Sequence, residues 1–240
     1  MVSKSQIKLI TSLGQKKYRQ RNGLFVAEGI KVIRELLNSD FQLEKLFASE
    51  MIFDVSEDQF VLADERGLKK ISFLKTPQTA LALFKIPKQN LEILDDLTIA
   101  LDGVRDPGNL GTIIRLCDWF GVKNLVCSND TVDCFNPKVI QSTMGSITRV
   151  NVVYKNLGEF LKSQNLVSYG TFMAGTNVYQ KKLQEKAVLV MGNEANGITP
   201  EIEQLISEKI SIPQFGQSHE TESLNVATAT AIFLSEFRRK

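Results

Sequence analysis

From Leu97 onward, short apolar runs alternate with stretches of helical periodicity, and few architectures accommodate that alternation. Strands are expected at Thr98–Leu101, Lys123–Cys127, Thr148–Val153, Val167–Ala174, Ala187–Met191 and Lys209–Ile212. Helices are expected at Leu110–Phe120, Pro137–Met144, Leu157–Gln164, Pro200–Ile206 and Glu222–Arg238. Continuous apolar strands separated by helices pack as a mostly parallel sheet covered on both faces. In such sheets ligands gather beyond the carboxyl ends of the strands.

Upstream, Leu24–Ala27, Leu43–Ala48 and Ala80–Lys85 read as short strands, and Ile30, Ile33 and Leu37 recur at helical spacing between the first two. The polar, interrupted run from Pro87 to Asp96 separates this segment from the first strand of the long alternation. The expectation is therefore α/β throughout, with a smaller N-terminal domain over residues 1–93 and a larger one over 94–240. With 240 residues and 43% apolar content the chain can bury two cores.

Three turns carry the chemistry. The first is LDGVRDPGNLGTIIRL, Leu101–Leu116, where Gly108, Asn109 and Gly111 shape the entry to a helix. Leu110, Ile113, Ile114, Cys117 and Phe120 form one face of that helix, Arg115 lies off it, and Gly121 is the expected stop. The glycines fit neither the GxGxxG dinucleotide spacing nor a GxxxxGK[ST] triphosphate loop. The second is VLVMGNEANGITPEI, Val188–Ile202, a buried strand opening onto Gly192, Asn193, Glu194 and Gly197, with Thr199 as N-cap and Pro200 at the first helical position. Two glycines at the end of a buried strand fit close backbone approach to a ligand. The third joins Ile212-Pro213 to Ser223-Leu224-Asn225 at the start of the last helix. There Ser223 reads equally as a helix cap or a site residue, and Asn225 is expected inside the first turn.

Bulk charge says little about partners, since Lys and Arg exceed Asp and Glu by only +2. The first 35 residues are less balanced, with Lys16, Lys17, Arg19 and Arg21 among eight cations set against Glu28 and Glu35. Such a cluster reads as a solvated helix face or as a surface that tracks phosphates by counterion release. Cys117, Cys127 and Cys134 make no CxxC pair, so neither a zinc site nor a disulfide framework is expected. The start has no signal-peptide pattern and no run reaches the length of a spanning helix, so a cytoplasmic, membrane-free protein is expected.

In this order and together, the three turns resemble the motifs of the SpoU (TrmH) family of RNA 2′-O-ribose methyltransferases over about Leu97–Arg239. The run NPKVIQSTMGSITRV, Asn136–Val150, is similar to a further family segment. KKYRQRNGLFVAEGIKVIRELL, Lys16–Leu37, resembles the substrate-binding domain of ribosomal-RNA members, including the thiostrepton-resistance methyltransferases. The resemblance implies a trefoil-knotted C-terminal sheet, a homodimer, S-adenosylmethionine as cofactor and structured RNA, ribosomal rather than transfer, as substrate. It implies a catalytic set of Asn109, Arg115, Glu194, Ser223 and Asn225. The cofactor loops it implies contain Met191, Gly192, Asn193, Gly197, Ile212, Pro213, Gly216, Leu224 and Asn225. RNA contacts fall to Lys16, Lys17, Arg19, Arg21 and Arg115.

The family proposal makes the arginine the base, but a guanidinium scarcely deprotonates near neutral pH. Bidentate capture of the phosphate beside the target ribose is the alternative role for Arg115. A transfer-RNA enzyme, a non-catalytic RNA-binding factor of the same fold and a small-molecule methyltransferase are the competing readings. The five site residues together speak against the second, and the basic N-terminal unit against the third. One departure stands out: the loop Gln214–Glu222 is longer than in short family members. It carries His219, the only histidine, for which a role in substrate choice is expected.

Overall fold

A computed structural model describes residues 2–88, 96–216 and 223–239. The chain divides into two compact units, one of residues 1–88 with 133–148 and the other of 89–132 with 149–240.

In the first unit, α1 (Lys4–Ser12), α2 (Lys16–Asn22), α3 (Ile30–Leu37) and α4 (Glu65–Ile71) accompany β1 (Leu24–Glu28), β2 (Leu43–Ala48), β3 (Phe60–Leu62) and β4 (Ala80–Lys85). The sheet order is β1-β4-β2-β3, with β4 antiparallel to both neighbours and β3 parallel to β2. Ile10 and Leu13 from the α1 region meet Leu68 and Ile71 of α4 over Val26, Phe47, Leu81 and Leu83 of the sheet. Helices α1 and α4 start on side-chain caps. Ser3 accepts from the Gln6 N–H in a capping box, and Asp64 accepts from the Gly67 N–H.

Helix α2, KKYRQRN, lacks an apolar stripe, and its buried side chain is Arg19. The guanidinium donates from Nε to Asp133 Oδ2 at 2.8 Å and from Nη1 to the Leu13 carbonyl at 2.8 Å. Only 1% of Arg19 is exposed. This corrects its expected role in RNA contact, because a buried guanidinium already paired with a carboxylate is not offered to a phosphate. Lys16, Lys17 and Arg21 of the same helix are exposed. Asp133 opens the segment that carries α6 (Pro137–Thr143), which packs on β1, while Phe135 lies 4.9 Å from Phe25 between ring centroids.

In the second unit, β5 (Thr98–Leu101), α5 (Pro107–Trp119), β6 (Asn124–Cys127), β7 (Asn151–Tyr154), α7 (Leu157–Ser163), β8 (Val167–Asn177), β9 (Ala187–Met191), α8 (Pro200–Glu203), β10 (Glu208–Ser211) and α9 (Val226–Arg238) follow one another. The six strands are all parallel in the order β10-β8-β9-β5-β6-β7. Ala100, Val126, Val153, Val188 and Val190 face α7 and α8 in one cluster with Leu157, Phe160 and Ile202. Side chains alternate across a strand, so their neighbours turn to the other face. There α5 packs on α9, burying Ile113, Ile114 and Cys117 against a helix whose own buried face includes Phe233 and Phe237. Arg238 ties the end of α9 to the end of α5, donating to the Phe120 carbonyl at 2.9 Å and pairing with Asp96 at 3.2 Å.

Several elements differ from the sequence reading. Thr148 belongs to a 3-10 turn, and β7 begins only at Asn151. Strand β8 runs three residues past Ala174, to Asn177, and slips register against β10. Helix α8 stops at Glu203, and α9 starts at Val226 with Asn225 as its cap rather than inside its first turn. His219, most of its loop and the expected helix start at Glu222 lie outside the described residues. The three cysteines are buried as thiols. Among the described residues no helix is long and apolar enough to cross a membrane, and no cluster of His, Cys, Asp and Glu could hold a metal ion.

Candidate active site

The three turns project from the carboxyl ends of β5, β9 and β10. After β5, Asp106 caps α5 by accepting from the Asn109 N–H at 2.8 Å, and Pro107 fills the first helical position. This start fixes Asn109 in the first turn of the helix.

After β9, Asn193 and Gly197 exchange two backbone hydrogen bonds of 2.9 Å, closing a tight loop. Asn193 Oδ1 accepts from the Ala195 and Asn196 N–H groups inside that loop. A Cβ on Gly192 would stand 2.2 Å from the carbonyl carbon of Gly197, so the approach of the two strands of the loop demands glycine there. Gly197 closes the loop with φ +69°, a conformation costly for other residues. The loop is tied back to β5, because Asp102 Oδ2 accepts from the Thr199 N–H at 2.7 Å just before α8. Thr199 is the N-cap, as its sequence position implied, yet its side chain makes no cap bond. The Asp102 carboxylate, just after β5, satisfies instead the N–H of Thr199 itself.

Before α9, Asn225 Oδ1 accepts from the Ala227 and Thr228 N–H groups. That orientation leaves its Nδ2 to donate to Asn109 Oδ1 at 2.9 Å. Asn109 Nδ2 in turn donates to Glu194 Oε1 at 2.9 Å. Asn193 Nδ2 donates to the Gly103 carbonyl at 2.6 Å and more weakly to Glu194 Oε2 at 3.4 Å. A carboxylate only accepts and an amide does both, so the polarity of the chain Asn225→Asn109→Glu194 is fixed from its two ends. Each of the three turns contributes one member.

A cavity of about 920 Å³ opens beside this chain. Met191, Gly192, Asn193 and Gly197 line it from the second turn, as do Ile212 and Pro213 after β10 and Ser223 and Leu224 before α9. Glu194 belongs to the lining, whereas Asn109, Arg115, Gly216 and Asn225 do not. Asn225 is directed to Asn109 instead. Arg115 is exposed on α5 and has no partner among the described residues. The sequence reading missed one wall, formed by Thr171, Phe172 and Met173 of β8 and by Phe233 of α9. Thr171 and Phe172 read as interior strand positions, and only the register slip against β10 shows that this half of β8 leaves the regular ladder.

Behind the first turn, Ser128 Oγ accepts from the Gly103 N–H at 2.9 Å and donates to Asp130 Oδ1 at 2.6 Å. The Ser128 hydrogen bond holds the Asp130 carboxyl below its ordinary range, with Arg105 adding to it and partial burial opposing it.

The SpoU rRNA Methylase family model matches residues 96–235, and the MRM3-like substrate binding domain model matches residues 4–82. A Bacillus subtilis (strain 168) protein named 23S rRNA (guanosine(2553)-2′-O)-methyltransferase RlmP is 31% identical over 234 residues, 94% of this chain and 93% of that one. A solved structure of a putative RNA methyltransferase of the TrmH family from Porphyromonas gingivalis superposes with a TM-score of 0.91 at 38% identity, covering 99% of this chain and 98% of the other. The AdoMet-bound rRNA methyltransferase from Sinorhizobium meliloti superposes with a TM-score of 0.87 at 28% identity, covering 99% and 96%. A family match over more than half of the chain, on the unit that holds all three turns, makes this protein a member of the SpoU rRNA methylase family.

Proposed function

We propose that this protein transfers a methyl group from S-adenosylmethionine to a ribose 2′-hydroxyl of ribosomal RNA. The observation that carries the reading is the Asn225–Asn109–Glu194 chain, which joins the three turns at the side of a cavity of ligand size. The names of the Bacillus and Sinorhizobium relatives support ribosomal RNA and this cofactor. So does the match of residues 4–82 to a substrate-binding domain, which favours ribosomal over transfer RNA. A cytoplasmic location goes with that reading.

The cavity fits the cofactor. Its walls join apolar side chains, among them Met191, Ile198 and Phe233, to the polar backbone of a loop that Gly192 keeps open. Met191, Gly192, Asn193, Gly197, Ile212, Pro213 and Leu224 would hold it. When bound, S-adenosylmethionine supplies an electrophilic methyl carbon on a sulfonium.

The chain's own residues provide position. Glu194 accepts amide donors and so anchors Asn109, which is left to orient the ribose. Ser223, on the cavity wall, positions the incoming hydroxyl. Arg115 takes the phosphate beside the target ribose with its fork of donors, and the hydroxyl proton leaves to that phosphate or to water. Lys17 and Arg21 hold RNA phosphates on the first unit.

The family's homodimer and trefoil knot belong to the same reading. Trp119, 83% exposed on the second unit and outside the cavity lining, is an apolar group that a second copy of the chain would cover. The strand order with β8 between β9 and β10 supports the knot.

The test is transfer of labelled methyl from S-adenosylmethionine to total RNA from cells lacking the protein, beside RNA from unaltered cells. Label at ribose in the large ribosomal RNA of the deletion strain alone is expected. Label in transfer RNA would replace the substrate. Absence of both label and cofactor binding would leave an RNA-binding factor without turnover.

A further inference from the structure

Glu28, at the end of β1, has only 6% of its surface in water. Its Oε1 accepts from the Ser72 hydroxyl at 2.6 Å and from the Gln78 N–H at 3.2 Å, and its Oε2 accepts from the Phe73 N–H at 3.1 Å. Burying a carboxylate is costly unless donors satisfy it. Here all of those donors come from one loop, residues 72–78, so Glu28 is the peg that fixes the loop's course.

This loop turns an aromatic ring and a cation outward. Phe73 is 37% exposed, and Lys75 is exposed beside it. The ring is backed rather than loose, with its Cε1 3.0 Å from the position of a Cβ on Gly14, in the turn between α1 and α2. At the other end of the loop, Gln78 Cγ lies 3.6 Å from a Cβ position on Gly29, where α3 begins. Lys17 on α2, Lys31 on α3 and Lys69 and Lys70 at the end of α4 are exposed on the elements around the loop. Neither residues 2–27 nor residues 66–88 contain an Asp or Glu.

A single exposed aromatic side chain is ordinary. A backed ring, held by a buried charge, with the exposed cations Lys17, Lys31, Lys69, Lys70 and Lys75 on elements whose acids are Glu35 and Glu65, matches the needs of an unstacked nucleotide, with phosphates on the cations and the base on the ring. We propose that Phe73 is a stacking platform for an unpaired base of the substrate RNA and that Glu28 is the positioning residue that sets it. This deepens the ribosomal-RNA reading and rests on it.

The test measures binding of the full-length protein to two fluorescent RNAs, a hairpin with an unpaired loop and a blunt duplex of the same stem. Cofactor binding is followed in parallel. Phe73→Ala is expected to weaken hairpin binding about fivefold to a hundredfold while leaving the duplex and the cofactor alone, and Phe73→Tyr to restore the hairpin. Glu28→Gln is expected to lose part of the hairpin preference with duplex affinity kept. Lys75→Ala is expected to lower the salt dependence of binding to both RNAs by about one counterion. Equal hairpin binding by Phe73→Ala and the unsubstituted protein would overturn the proposal. So would equal losses on hairpin and duplex, or an acidic polyglutamate that competes as well as the hairpin does. Failure of the unsubstituted protein to bind the cofactor strikes the transferase reading instead, and the hairpin comparison then decides the platform separately.

Discussion

Asn225 donates its side-chain amide to the side-chain carbonyl of Asn109 at 2.9 Å, across 116 positions of sequence. The same Asn225 caps α9 with its oxygen, so the geometry of a helix start and the orientation of a site residue are one constraint. Replacing Asn109 by Asp removes the donor to Glu194 and sets two carboxylates side by side. Methyl transfer should fall about a hundredfold, the size of a misplacement of roughly 1 Å at a reacting centre. Single-turnover rates with saturating cofactor check this. An unchanged rate would show that the amide chain is incidental to the chemistry.

Arg115 stands exposed on α5, off the cavity lining and without a partner among the described residues. Arg115→Ala should therefore leave cofactor affinity nearly intact and abolish transfer. Arg115→Lys, which keeps charge but loses the planar fork, should recover only a small part of it. Calorimetric cofactor binding beside a transfer assay separates the two effects. A large loss of cofactor affinity in Arg115→Ala would contradict a role at the RNA phosphate.

Local chemistry in the sequence made the three turns legible. Pro200 at a helix start, glycines after a buried strand and Ser223-Leu224-Asn225 opening an apolar helix each act within a few residues of themselves. The start of α5 at Pro107, three residues before the expected Leu110, and the capping position of Asn225 were not read. Non-local partners were not legible. Nothing near Thr199 shows that Asp102 accepts its N–H, and nothing in KKYRQRN shows that Arg19 is buried against a carboxylate 114 positions away. The short helices α1, α2 and α4 escaped for a related reason, since their stability lies in tertiary packing more than in periodicity. The wall formed by Thr171–Met173 escaped because a register slip is a property of two strands together.

Gly192 admits no side chain, for an added Cβ meets the backbone of both Gly197 and Ile198, the latter at 2.4 Å from its nitrogen. Backbone cannot step aside as a flexible side chain can. Gly192→Ala should destabilise the protein by about 1–3 kcal/mol, as overpacking does, and should displace the loop that lines the cavity. Cofactor affinity should drop by about tenfold or more, since about 1.4 kcal/mol of lost contact is already a factor of ten. Thermal unfolding with and without cofactor measures both. A variant that binds as tightly as the unsubstituted protein would remove this turn from the cofactor site.

Partial burial raises the Asp96 carboxyl, but hydrogen bonds from Arg238 and the Leu97 N–H, with the charges of Arg238 and Lys123, outweigh it and leave it below its ordinary value of 3.8. A lowered folded-state value means that the unfolded chain binds the proton more readily. The contribution is therefore present above the unfolded value and lost as pH falls through the folded one. Asp96→Asn should flatten the acid limb of stability below about pH 4 and leave the neutral region little altered, because the pair, 31% and 39% exposed, is screened by solvent. Urea unfolding midpoints across that range test it. An unchanged acid limb would mean that the contact between α9 and α5 does not depend on this charge.

The Arg19–Asp133 pair differs in kind, since the two side chains are 2% and 13% exposed. Removing one partner of a buried pair leaves an uncompensated charge, so Arg19→Ala should cost about 3–5 kcal/mol. Replacing both by apolar residues of similar size, Arg19→Met with Asp133→Leu, should recover most of that loss, because desolvation offsets much of what such a pair gains. If Arg19 served RNA rather than the fold, the double variant would be stable yet bind RNA no better than Arg19→Ala does. Burial against Asp133 predicts the opposite, with stability and RNA affinity returning together. Urea unfolding beside hairpin binding decides between them.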